Sequence, residues 1–236
     1  MSEKEYPILV PKLHLGTFTW TFPSTTWERE CLVMMCLVSE KEHPILVPKL
    51  YLETLFQFFM RSRYKFTPDL GLYFISSSII NHLPIFTYSP YIRILIDSFQ
   101  YCRKHKNIKI YAYVIMRNHF HLIISGERLT NIIQSLKRHT ARKIIITAES
   151  ENRKDWLEQF RKYKKSYKIK SNYQVWQEGV HPQFISSIDM LEQKMHYIHN
   201  NPVKKGYVNS PTEWIYSSAR NYQEMKGILD IDELEV

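Results

Sequence analysis

Two apolar runs near the middle of the chain, Ile108–Met116 (IKIYAYVIM) and His119–Ser125 (HFHLIIS), are separated only by Arg117 and Asn118. Both runs are rich in β-branched and aromatic residues and read as strands. A two-residue link that includes Asn is a tight turn, and only antiparallel strands can be joined so closely. The flanking sequence must therefore build on a hairpin. Before it, Gly71–Ile80 (GLYFISSSII) reads as a further strand. Ser89-Pro90 supplies a helix cap with proline at the first helical position. Ile92, Leu95, Ile96 and Phe99 then follow at helical spacing. After the hairpin, Leu129, Ile132, Ile133 and Leu136 mark a helix running to about Ile146. Tyr173–Trp176 is a candidate fourth strand, and Ser186 or Ser187 caps a last helix that runs towards Asn200 and stops before Pro202. Strand, helix, strand, strand, helix, strand and a further helix predict an α+β fold, a ferredoxin-like antiparallel sheet with helices on its faces.

The first 59 residues have a different character. Residues 2–15 (SEKEYPILVPKLHL) return at 39–52 (SEKEHPILVPKLYL) with twelve of fourteen positions identical. Two near-perfect copies indicate a recent duplication, since a solenoid needs at least three copies that vary outside their core positions. Residues 1–59 carry a net charge of −2 and residues 60–236 one of +11. Met60 opens a stretch, MRSRYKF, that would serve as a natural start. These features predict an N-terminal extension over 1–59, dispensable for function, and a functional domain over 60–236. The alternative is a genuine small flanking subdomain.

The whole chain carries +9 at neutral pH, which suits an acidic partner, with nucleic acid first and an anionic membrane surface second. Lys137 to Lys170 holds twelve Lys or Arg against four acids, interleaved or followed by Tyr163, Tyr167 and Tyr173. Such a stretch reads either as a solvated face or as a nucleic-acid contact. The longest plain apolar run, Cys31–Val38, is far shorter than the ~20 residues that span a bilayer. The N-terminus lacks the basic-then-apolar layout of a secretory signal. Three cysteines cannot form a disulfide framework, which fits a reducing cytoplasm. Secreted, membrane-spanning and collagen-like classes are excluded on these grounds.

Two segments carry chemistry. In His119-Phe120-His121 the imidazoles, two apart on a strand, share a face. Such a pair is half of a divalent-metal site. With ten histidines in 236 residues, a His-x-His arises by chance about 0.4 times per chain, so alone it reads equally as a ligand pair or a structural one. The second segment is Met195–Val203. Ile188, Leu191, Met195 and Ile198 form an apolar stripe, and at helical spacing Tyr197 lies roughly 140° from its centre. Asn201 falls on nearly the same face as Tyr197, whereas His199 falls on the stripe and reads as structural. With a phenol beside an oxygen donor facing a histidine pair, metal and basic groups could polarise a phosphodiester while the phenolate attacks phosphorus.

The runs YAYVIMRNHFHLII (Tyr111–Ile124), YIHNNPVKKGYV (Tyr197–Val208) and YSSARNY (Tyr216–Tyr222), in this order, resemble the REP-associated tyrosine transposases of the HUH single-strand endonuclease superfamily. The resemblance covers about residues 60–232. It implies that His119 and His121, with Asn201 as third ligand, hold Mg²⁺ or Mn²⁺. It implies that Tyr197 is the nucleophile and forms a 5′-phosphotyrosine link to single-stranded DNA beside hairpin-forming palindromic repeats. Lys137, Arg138, Arg142 and Lys143 would then track DNA phosphates. No nucleotide cofactor is required, and the protein would act as a monomer or homodimer. Two rivals stay open from the sequence: a non-catalytic hairpin-binding protein, and a metal-dependent hydrolase that uses water in place of Tyr197.

Overall fold

The computed structural model describes Phe66 and residues 71–234, all within one unit of the chain, Thr54–Val236. The duplicated segments and the start at Met60 lie outside the described residues. Four strands, β1 (Tyr73–Ser78), β2 (Lys109–Ile115), β3 (His119–Ser125) and β4 (Gln183–Phe184), form a sheet in the order β2-β3-β1-β4. Every pairing is antiparallel. Among the described residues four α-helices accompany the sheet: α1 (Ser89–Lys106), α2 (Leu129–Ser150), α3 (Lys154–Lys162) and α4 (Ile188–Lys204). This is the expected α+β, ferredoxin-like arrangement. The central hairpin closes as its sequence requires, with Met116 N–H donating to the His119 carbonyl at 2.8 Å across Arg117-Asn118.

The sheet buries both faces. Tyr73, Ile75, Tyr113, Phe120, Leu122 and Ile124 pack towards α1 and α2, together with Leu95, Phe99, Ile133 and Leu136. The alternate residues Phe74, Ala112, Val114 and Ile123 pack with Ile198, Leu191 and Met195 of α4. Period-two alternation thus sends Phe120 to one layer and its neighbours His119 and His121 to the other. The free edge of β2 is covered by the C-terminal segment, where Tyr216, Ser218 and Asp232 bond to Ile115, Tyr113 and Ile110.

Several boundaries differ from the sequence expectation. Tyr173–Trp176 is not a strand. Trp176 makes one isolated bridge to Ile79, and the fourth strand is the two-residue pairing of Gln183 and Phe184 with β1. Ser89 does not cap α1: Tyr88 occupies the cap position and Ser89 is the first helical residue. The first strand spans Tyr73–Ser78 rather than Gly71–Ile80, because Ile80 opens a short 3₁₀ turn. Helix α2 runs to Ser150, one turn beyond Ile146. Within the charged stretch after it, α3 forms by burying Trp156 and Phe160 on one face. Ser187 does cap α4, its hydroxyl accepting from Met190 N–H at 3.2 Å. Pro202, however, lies inside that helix. It removes a single N–H in the last turn, and the stop comes at Gly206, whose φ of +67° is the left-handed conformation that ends helices.

Candidate active site

The site lies between β3 and α4. His119 pairs with Ser78 and His121 with Ser76 of β1, so small side chains flank both imidazoles. The two rings meet edge to face with centroids 4.8 Å apart. Tyr197 of α4 stands edge to face on His121 at 5.2 Å, and Phe74 stacks on His121 at 5.3 Å. Phe74 also contacts Tyr197 at 5.9 Å. Tyr197 is 40% exposed. Its placement off the apolar stripe therefore leaves the side chain packed on these rings yet partly accessible. Asn201 follows one turn later and is buried, as is Ile198 between them. Ile188, assigned to the apolar stripe from its spacing, is 64% exposed.

Burial holds both imidazoles neutral. Burial pushes the imidazole of His121 down to about 3, helped by the neighbouring His119 and Lys194. Burial also pushes His119 down to about 4, with His82 and Lys205 adding to the effect. His119 Nδ1 lies 2.6 Å from Asn118 Oδ1. The orientation of that amide is fixed by its other end, because Asn118 Nδ2 donates to the His82 carbonyl at 3.1 Å. Oδ1 can only accept, so Nδ1 carries the proton and Nε2 keeps its lone pair. A second partner that fixes the tautomer is the usual companion of a metal-ligating histidine. His121 is more telling: both ring nitrogens are buried with no hydrogen-bond partner. Leaving such groups unpaired costs about 1–3 kcal/mol each, so the ring is set for a ligand that is not protein. The donor set suits a divalent cation. Among the described residues no cluster of three His, Cys, Asp or Glu side chains exists. Oxygen ligands must then come from an amide such as Asn201, from water or from a phosphate.

His199, expected to be structural, turns away from this group. Its Nε2 lies 2.9 Å from Ser218 Oγ and its ring packs on Tyr222, tying α4 to the segment that covers β2. The basic residues chosen from the sequence are not brought to the site. Lys137, Arg138, Arg142 and Lys143 all belong to α2, which packs against the opposite face of the sheet. Arg138, Arg142 and Lys143 are exposed there. Lys137 donates to the carbonyls of Gln177 and Gly179 at 2.9 and 2.6 Å, and burial pushes its ammonium down to about 8. It lines a cavity of about 680 Å³ formed with Gln134, Tyr173 and Trp176. The sequence reading missed Phe74 and Asn118. The second carried a signal, since it immediately precedes the first histidine in the hairpin turn.

The family model described as Transposase IS200 like matches residues 82–201, which span the hairpin, both histidines, Tyr197 and Asn201. No curated protein matches the chain. Among solved structures, the REP-associated tyrosine transposase bound to a REP hairpin is similar at 16% identity and a TM-score of 0.47. The match covers 72% of this chain and 93% of that one. A putative transposase from Deinococcus radiodurans R1 is similar at 14% identity and a TM-score of 0.37, covering 55% of this chain and 88% of that one.

Proposed function

The chain belongs to the IS200-like transposase family, and within it we propose a cytoplasmic enzyme that cleaves and rejoins single-stranded DNA through Tyr197. The phenol oxygen attacks a phosphodiester phosphorus. A Tyr197–phosphorus bond forms while the bond to the 3′-oxygen breaks, and that oxygen leaves as a free 3′-OH. The phenol gives up its proton to the surroundings and the 3′-oxygen gains one. A 3′-OH then attacks the 5′-phosphotyrosine link and regenerates the phenol. Each step exchanges one phosphoester for another, so no nucleotide cofactor is consumed.

The packing of Tyr197 on His121, a neutral imidazole with both nitrogens unpartnered, carries this reading. His119 and His121, with Asn201, would hold Mg²⁺ or Mn²⁺, which when bound supplies Lewis-acid neutralisation of the phosphoryl oxygens. Asn118 holds His119 in the ligating tautomer, and Phe74 fixes the plane of His121. Helix α4 sets the phenol at a fixed height above the strand, which replaces a bimolecular encounter with an oriented one. The hairpin context of the cut is what the sequence motifs imply, and a hairpin next to a single-stranded tag is the substrate proposed. Arg138, Arg142 and Lys143 on α2 stand as contacts to DNA phosphates remote from the cut, with Lys137 beneath them already engaged with carbonyls.

The test uses a labelled single-stranded hairpin from the gene's own flank, with Mg²⁺ or Mn²⁺, resolved on a denaturing gel. The expected product is a covalent protein–DNA adduct that requires the metal and is lost in Tyr197→Phe. Cleavage without an adduct would assign the attack to water.

A further inference from the structure

Lys194 lies three residues before Tyr197, and Tyr197, Ile198 and Asn201 follow it at the spacings that place residues on one helix face. Its ammonium is 5.0 Å from the centroid of Phe74, the ring that contacts both His121 and Tyr197. The residue is half-buried, and burial lowers its affinity for the proton. Among the described residues no carboxylate pairs with it and no hydrogen bond is made by its ammonium. The contrast with Lys137 is direct, since that desolvated ammonium is satisfied by two carbonyls. A cation–π contact on Phe74 compensates Lys194 only in part. A partly desolvated cation without a protein acceptor is a ready partner for an anion. The site offers none of its own: the neighbours at Phe74 are neutral rings.

We propose that the missing anion is the scissile phosphate, and that Lys194 is a catalytic residue whose ammonium donates to a non-bridging phosphoryl oxygen as Tyr197 attacks. The ammonium rests on Phe74, the ring shared by Tyr197 and His121, so its charge stands within the group where a phosphate attacked by the phenol would carry its own. The inference rests on Tyr197 being the nucleophile, and it adds a charge that the protein supplies independently of the metal. Fixed donors aimed at such oxygens act strongly in a partly dehydrated site. Within the protein Lys194 contacts Phe74 and its charge is felt at His121, and Lys194→Arg keeps a cation for both.

The experiment compares full-length Lys194→Gln and Lys194→Arg with the parent in single-turnover adduct formation, using one hairpin with a normal scissile phosphodiester and one with a methylphosphonate there. Lys194→Gln should slow adduct formation on the phosphodiester by about 10²–10³-fold. Hairpin affinity should change little and Lys194→Arg should recover part of the rate. On the uncharged methylphosphonate the two proteins should differ far less. A wild-type rate in Lys194→Gln, or an equal loss on both linkages, would overturn the assignment. Absence of any adduct in the parent would count against Tyr197 rather than Lys194. In that event the NMR signal of ¹³C-methylated Lys194, assigned with Lys194→Arg, decides the matter. It should move when a short single-stranded oligothymidylate is added, and an unmoved signal refutes the contact.

Discussion

Replacing Asn118 by Ala removes no candidate ligand and no core side chain, yet it should weaken metal binding. The amide holds two bonds at once: it accepts from His119 Nδ1 at 2.6 Å and donates to the His82 carbonyl at 3.1 Å. Losing both costs about 1–3 kcal/mol of stability, from ~0.5–1.5 kcal/mol per hydrogen bond. The larger consequence is at Nε2 of His119. Without the acceptor the ring can rotate and adopt the other tautomer, which presents an N–H where a lone pair is needed. Loss of such an orienting partner typically lowers metal affinity by about 10–100-fold. Titration of Mn²⁺ followed by its free-ion electron-spin signal, alongside urea denaturation, measures both quantities. Asn118→Asp keeps an acceptor and should retain most of the affinity near neutral pH. Affinity for Mn²⁺ in Asn118→Ala equal to that of the parent would refute the idea that this amide sets the tautomer of a ligand.

Acidification should destabilise the fold in a defined window. His119, His121 and His199 have folded values of about 4, 3 and 4, each lowered first by burial. Above the unfolded value near 6.5 neither state is protonated and the effect is absent. As pH falls from there towards 4 the unfolded chain takes up protons the folded chain refuses, and stability is lost. At pH 5 this amounts to about 2 kcal/mol per histidine, and urea midpoints that stay level between pH 7 and 5 would contradict it. Asp232 accepts from both Nε and Nη2 of Arg103 and from Ile110 N–H. Asp232→Asn should therefore cost about 1.5–3 kcal/mol in chemical denaturation, the scale of a hydrogen bond to a charged group. Phe160 is fully buried, so Phe160→Ala should cost about 3–5 kcal/mol. A cost below ~1 kcal/mol would show that α3 is a surface appendage rather than part of the core.

What could be read from the sequence was mostly local. The hairpin was legible because a two-residue link leaves one geometry. The shared face of His119 and His121 followed from the strand period, and the displacement of Tyr197 from the apolar stripe followed from the helical one. Features decided by distant partners were not legible. Helix α3 shows only Trp156, Leu157 and Phe160 among polar and charged residues, and its stability comes from a core that the segment itself does not reveal. Strand β4 is two residues long and exists because β1 offers it an edge. Arg138 and Arg142 of α2 share a helix face, but which side of the sheet that helix covers depends on the alternation of Phe120 against the histidines. Pro202 misled because the rule against proline in a helix weakens in a last turn that Gly206 terminates two residues after Lys204.

Peptide mapping of the trapped adduct tests most directly whether Tyr197 is the group that takes the DNA. After exhaustive nuclease and trypsin digestion, the peptide Met195–Lys204 contains Tyr197 and no other tyrosine. It should carry the mass of a 5′-linked nucleotide remnant, only when Mg²⁺ or Mn²⁺ was present. A remnant on any other peptide, with Met195–Lys204 unmodified, would contradict the account.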